Sequence, residues 1–147
     1  MCTLGGLPIL FALTGAKADE RETLRDMLDA APDVEAAHPG QTIIGDKNYY
    51  GREFERDLAE RHLRLLRPAR KGEAERAGAN LFKPLRQVIE SINQTLKGQL
   101  DLERHGGKSP AGVAVRVLCR IFALTTAIWH NDKTRQPTKR SLTAYDH

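Results

Sequence analysis

The chain has 147 residues, with 23 Lys and Arg against 19 Asp and Glu, which gives a formal net charge of +4. This length fits one domain. The contents of 40% hydrophobic and 29% charged residues exclude wholesale disorder. Cys2 and Cys119 stand near opposite ends, outside any Cys/His cluster, so neither a disulfide framework nor a zinc site is indicated. We therefore expect a protein of the reducing cytoplasm.

Two apolar stretches raise the question of a membrane. Residues 1–15 lack the positively charged n-region of a secretory signal peptide, and glycines and a proline interrupt their apolar run. Residues 113–129 contain Arg116 and Arg120. At about 1.5 Å per residue, that stretch is short for a bilayer core of about 30 Å. The sequence predicts no membrane partner.

Charge is distributed unevenly along the chain. Residues 19–35 contain seven acids and two bases, whereas residues 104–147 contain eight bases and two acids. A basic C-terminal third is typical of a polyanion-binding segment. It is equally typical of a solvated tail, so both interpretations stay open.

The first predicted elements are a hairpin and a helix. Apolar and β-branched residues at 1–4 and 9–14 flank a Gly-Gly-Leu-Pro turn, which indicates a hairpin. A helix is predicted over residues 18–31, with Asp19 as its N-cap and Pro32 at its end.

The middle of the chain alternates strands and helices. Residues 42–44 form a short apolar run that is typical of a buried strand. A helix over 54–62, a strand over 63–66 and a polar loop or mobile insertion over 67–80 follow. This order predicts an α/β fold.

The last third is predicted to be helical. An amphipathic helix covers residues 81–100, a more apolar helix covers 111–129, and a loose tail follows from residue 131. On a wheel of 100° per residue, Arg86, Glu90 and Lys97 share one polar stripe. That stripe is consistent with a solvated face carrying an Arg86–Glu90 pair, or with a functional face. The opposite, apolar face contains Leu85, Val88, Ile92 and Leu96.

Asp46 is the second candidate for chemistry. It comes directly after the predicted strand at 42–44, where α/β folds place ligand-binding groups. A carboxylate after a glycine is also typical of an Asx turn or a helix cap. Asp46 taken alone does not decide between these interpretations.

Taken together, the two candidates resemble one protein family. Gly45-Asp46-Lys47-Asn48-Tyr49 resembles the strand-end motif that carries the second acid of bacterial insertion-sequence transposases of the Asp-Asp-Glu type. Arg86-x3-Glu90-x6-Lys97 is similar to that family's Tyr-x2-Arg-x3-Glu-x6-Lys signature, with Lys83 at the Tyr position. Residues 2–22 also resemble the family's hairpin and following helix. The resemblance covers about residues 2–130.

This resemblance implies a ribonuclease H-like catalytic core over residues 1–130 and a basic, flexible tail over 131–147. It implies that Asp46 and Glu90 are catalytic ligands of a two-metal site for Mg²⁺ or Mn²⁺, which prefer oxygen ligands. Arg86 and Lys97 would hold a DNA phosphate, and Tyr49 would position a flanking base. The implied partner is DNA, both insertion-element ends and target, in the bacterial cytoplasm.

The family's first Asp lies on a strand that precedes the hairpin. We therefore expect a core whose first strand is missing, and a chain that is inactive on its own. Asp19 stands in a helix-capping context and is not a substitute. An upstream reading-frame product or a second copy of the chain is a candidate partner. A non-enzymatic basic DNA-binding module and a helical interaction protein built on residues 111–129 are the competing interpretations.

Overall fold

A computed structural model describes residues 1–138 and 141–145. Lys139 and Arg140 of the predicted basic tail therefore lie outside the described residues. The chain divides into two compact units. One is Ala12–Phe82, and the other combines Met1–Phe11 with the residues from Lys83 onward.

The unit Ala12–Phe82 is built around a β-α-β arrangement. Helices α1 (Glu20–Asp29) and α2 (Pro32–Ala37) come first, followed by β1 (Thr42–Ile44), α3 (Arg52–Glu60) and β2 (Arg64–Leu66). The two strands are parallel, with Ile43 opposite Leu65. Parallel strands need a crossover connection, and α3 supplies it. These elements confirm the predicted α/β order, although Pro32 begins a second short helix instead of simply ending the first.

The core of this unit comes from residues spaced four apart on two helices. Leu24 and Leu28 of α1, with Phe54 and Leu58 of α3, are buried together with Leu63. A spacing of four places each pair on one helix face. The inner sides of both strands pack partly against this cluster, which fixes where the ends of β1 and β2 lie.

The loop after β2 is anchored by one buried arginine. Arg67 is only 3% exposed. Its Nη1 lies 2.7 Å from Glu73 Oε2, and its Nη2 lies 3.0 Å from Glu55 Oε1. The hydrogen bonds from Arg67 lower the pKa of Glu73 to about 2. The prediction of a loop is confirmed, and the ion pair between Arg67 and Glu55 ties the loop to α3.

The N-terminal residues form a tight turn. Thr3 N donates to Leu7 O at 2.9 Å, and Ile9 N donates to Met1 O at 3.0 Å. A single bridge joins Cys2 and Pro8, but the described residues 1–14 contain no regular strand. The two predicted hairpin strands are therefore not formed here. An isolated pair of strands is marginal, and Pro8 lacks a backbone N–H with which to extend the ladder.

Two helices dominate the second unit. Helix α4 (Phe82–Gln94) continues as a π-helical turn over Thr95–Gln99, and α5 covers Pro110–Lys133 with Ser109 as its N-cap. On α4, Leu85, Val88 and Ile92 are half-buried, whereas Arg86 and Glu90 are exposed. The predicted division of this helix into a polar and an apolar face is confirmed.

Helix α5 extends beyond the predicted end at Trp129. Asn131, placed in the tail by the sequence, is 1% exposed. Its Nδ2 donates to Thr138 O at 3.4 Å, and its Oδ1 accepts a hydrogen bond from Tyr145. This part of the chain therefore packs against the end of α5. The domain boundary at residue 130 stays a prediction.

By length and composition alone, α5 is also long and apolar enough to cross a membrane. One such helix is weak evidence, because the core helices of soluble proteins meet the same criterion. The absence of a membrane partner stays a prediction.

Candidate active site

Asp46 is exposed and lies at the carboxyl end of β1. Gly45 N donates to Leu66 O at 3.0 Å, which extends the pairing of the two strands by one residue. Asp46 Oδ1 then accepts a hydrogen bond from Asn48 N at 2.6 Å. This is the Asx turn that the sequence left open as the structural interpretation. Asp46 Oδ2 accepts no hydrogen bond from a described residue, and Asp46 is exposed, so this oxygen is available to a ligand.

Tyr49 packs inside the same turn. Its ring lies 6.2 Å from that of Phe54, measured between centroids, and it contacts the buried cluster under α1 and α3. Burial raises the pKa of the Tyr49 hydroxyl, and the charges of Glu20 and Asp46 add to the shift. Tyr49 therefore has a packing role that the sequence did not indicate. Its predicted contact with a DNA base stays a prediction.

The polar face of α4 carries the other predicted residues. Arg86 Nε donates to Glu90 Oε1 at 2.7 Å, across one helical turn, and both side chains are well exposed. Lys97 lies in the π-helical turn, where its Nζ is 2.7 Å from Glu103 Oε1. The hydrogen bond from Lys97 lowers the pKa of Glu103. Arg86 and Glu90 are thus brought together, whereas Lys97 pairs with Glu103.

Asp46 and Glu90 belong to different compact units. Their oxygen donors suit Mg²⁺ or Mn²⁺. A two-metal centre holds ions about 4 Å apart and needs several carboxylates around them. Among the residues that the structure describes, no group of three or more Asp, Glu, His or Cys side chains is arranged to hold a metal. The donor type therefore fits the implied metals, but the donor number does not fit a metal pair.

Asp19, which the sequence analysis set aside as a substitute for the family's first Asp, caps α1. Its Oδ1 accepts from Arg21 N at 2.8 Å and from Glu22 N at 3.4 Å. Its Oδ2 lies 2.6 Å from Arg21 Nη2. The hydrogen bonds from Arg21 hold the pKa of Asp19 well below its usual range. Both carboxylate oxygens are engaged, and the predicted capping role is confirmed.

Sequence reasoning missed a stack of cationic side chains on Tyr50. The guanidinium carbon of Arg70 lies 3.6 Å from the centroid of the Tyr50 ring, and that of Arg21 lies 5.3 Å away. The signal available in the sequence was the tyrosine pair that follows the Asp46 motif. Which arginine stacks on Tyr50 depends on how the loop after β2 folds.

A family model described as "Transposase DDE domain" matches residues 1–126. No curated protein and no solved structure matches the chain. The matched region includes both the turn that carries Asp46 and the face of α4 that carries Glu90.

Proposed function

The chain belongs to the transposase DDE domain family, and from that premise we propose that Asp46 and Glu90 are two of the carboxylate ligands of a site for the cleavage and joining of DNA strands, a site that this chain does not complete on its own. DNA transposition is the function of this family, whose members generally use divalent metals and have a ribonuclease H-like fold. The observation that carries the proposal is the position of Asp46, at the carboxyl end of a parallel strand with one carboxylate oxygen free. Ligands of open α/β sheets bind at that edge.

The chemistry proposed is an in-line phosphoryl displacement. Asp46 and Glu90 would hold Mg²⁺ or Mn²⁺, which would supply charge stabilisation at the reacting phosphate, and the further carboxylate that a metal pair needs would come from an upstream product or a second copy. In this proposal Asp46 and Glu90 bind the metal, and Arg86 and Lys97 contact DNA phosphate. Glu90 Oε1 accepts from Arg86 Nε, so in this proposal Oε2 is the oxygen of Glu90 that would take the metal.

The proposal is tested by metal-dependent DNA binding. We expect the affinity for a short labelled duplex to rise when Mg²⁺ or Mn²⁺ replaces EDTA, and the rise to disappear in Asp46→Asn and Glu90→Gln. Asp26→Asn and Glu53→Gln are matched controls, because both acids are exposed and make no ion pair with a described residue. Equal metal responses in all five proteins would overturn the proposal.

The second candidate is a basic DNA-binding module without metal chemistry. The net charge of +4 and the basic residues that follow residue 104 favour it. This candidate predicts affinity that falls steeply with salt and does not respond to Asp46→Asn or Glu90→Gln. The same titrations therefore distinguish the two candidates. In either case the proposed partner is DNA in the bacterial cytoplasm, with an upstream reading-frame product or a second copy as a further candidate partner.

A further inference from the structure

The stack on Tyr50 combines two arginines in different electrostatic states. Arg21 is neutralised, because its Nη2 lies 2.6 Å from Asp19 Oδ2 and its Nη1 donates to Tyr50 O at 3.0 Å. Arg70 makes no ion pair with any residue that the structure describes. Its guanidinium is stacked on the ring while its N–H donors are left for an external acceptor. The planar fork of an arginine matches the oxygens of a phosphate.

The backbone of Arg70 is held in place by Glu73, the partner of the buried Arg67 in the same loop. Arg70 N donates to Glu73 Oε2 at 2.8 Å, and that carboxylate also accepts from Arg67 Nη1 at 2.7 Å. Stacking on Tyr50 restrains the side chain as well. A cation that is already ordered loses less conformational entropy when it binds an anion than a freely rotating one.

The stack is joined to the turn that carries Asp46. Tyr49 N donates to Asp46 O at 3.3 Å, and Tyr50 N donates to Asn48 O at 2.8 Å. Tyr50 therefore ends that turn, and as a residue it remains 36% exposed. Lys47 and Lys71, the neighbours in sequence of Asp46 and Arg70, are exposed and make no ion pair with a described residue.

We propose that Arg70, oriented by its stack on Tyr50, binds a backbone phosphate of the DNA strand that reaches Asp46. Tyr50 is a positioning residue, because it acts through Arg70. This inference rests on the proposed function and deepens it, since it names a DNA contact outside the predicted set of Arg86, Lys97 and Tyr49.

The test measures the salt dependence of duplex binding by fluorescence anisotropy in EDTA, so that metal binding does not contribute. Loss of one phosphate contact is expected to reduce the slope of log K against log salt by about 0.9, and the affinity near 0.1 M salt by about tenfold. We expect this change in Arg70→Gln. Arg56→Gln is the control, because Arg56 is exposed on α3 in the same unit, lies 3.7 Å from the equally exposed Glu60, and its substitution removes the same charge. It is expected to leave the slope unchanged.

Three further variants separate stacking from charge. Tyr50→Leu removes the ring and is expected to lower the affinity nearly as far as Arg70→Gln does. Tyr50→Phe keeps the ring and is expected to bind as the unchanged chain does. Arg70→Lys keeps the charge without the planar fork, and an intermediate affinity is expected. Thermal unfolding of each variant identifies any loss of fold, and Arg70→Lys with Tyr50→Phe remain informative if Arg70→Gln unfolds.

The outcomes separate this inference from the function on which it rests. If the unchanged chain binds no DNA at any salt concentration, either in EDTA or with Mg²⁺, both fail. If it binds DNA, and Arg70→Gln behaves like Arg56→Gln, only the assignment of Arg70 is overturned. If Arg70→Gln weakens binding but Tyr50→Leu does not, the positioning role of Tyr50 is overturned.

Discussion

The ring of Tyr49 lies so close to Gly45 that a side chain at residue 45 would need the ring to give way by a few tenths of an ångström. A Cβ placed on residue 45 meets Tyr49 Cδ2 at 3.0 Å and Tyr49 Cγ at 3.1 Å. Contacts this short require the ring to move. The glycine that precedes Asp46 is therefore explained by the packing of a residue four positions later. Because both residues belong to the turn that carries Asp46, this contact helps to hold the carboxylate at the end of β1.

Gly45→Ala is accordingly expected to destabilise the chain by about 1–3 kcal/mol, the usual cost of overpacking. The cost is expected to fall in a Tyr49→Ala background, where the methyl group has room. Urea denaturation of the two single variants and the double variant measures this coupling. Equal costs of Gly45→Ala in both backgrounds would show that the ring does not restrict residue 45.

The N-cap of α1 is expected to contribute measurably to stability. Asp19→Ala removes the carboxylate that accepts from Arg21 N and Glu22 N. Loss of such a cap costs about 1 kcal/mol. The control is Asp26→Ala on the exposed face of the same helix, which is expected to change the free energy of unfolding little. A similar loss in both variants would mean that the cap is energetically unimportant.

The ion pair between Arg67 and Glu73 is expected to make stability depend on pH. The pKa of Glu73 is lowered from 4.5 to about 2 in the folded chain. A carboxyl whose folded pKa is depressed stabilises the fold above its unfolded pKa, and this contribution is lost as pH falls toward the folded value. Glu73→Gln is therefore expected to be less stable than the unchanged chain at pH 6, with the difference disappearing between about pH 4.5 and pH 2.

Urea midpoints at several pH values measure this prediction. Glu75→Gln is a control in the same loop, since Glu75 is exposed and makes no ion pair with a described residue. A difference between Glu73→Gln and the unchanged chain that stays constant from pH 6 to pH 2 would contradict the assigned ion pair.

The 147 residues by themselves are expected not to cleave DNA. Asp46 and Glu90 supply two carboxylates, and paired metals need more ligands than these. Incubation of supercoiled plasmid with the purified chain and Mg²⁺ is expected to produce no nicked product above background. Mg²⁺-dependent nicking that is abolished by Glu90→Ala would contradict this expectation.

Local sequence patterns predict several parts of this fold. Leu24 with Leu28, and Phe54 with Leu58, lie four residues apart, so their spacing alone indicates a buried face on each helix. The strand at Thr42–Ile44 is recognisable from its apolar run, and the site candidate Asp46 from its place after that strand. These features depend on neighbours within a few positions, and such patterns can be read directly.

The hairpin strands and the end of α5 are predicted less well. Whether residues 1–14 form strands depends on a neighbouring strand with which to pair, which the segment cannot encode alone. The continuation of α5 depends on contacts of Asn131 with Thr138 and Tyr145. A polar residue at the end of an apolar helix otherwise indicates an exposed tail.

The sequence by itself determined the periodic helix faces, the two short strands, the cap at Asp19 and the placement of Asp46 and Glu90 on a turn and a polar face. Only the tertiary structure decided which partners these residues take. Arg67 is buried against Glu55 and Glu73, Tyr49 covers Gly45, and Arg70 stacks on Tyr50. The chain contains many acidic, arginine and aromatic residues whose neighbouring sequence does not distinguish one from another. The choice among them depends on which side chains the packed helices and strands bring within contact distance.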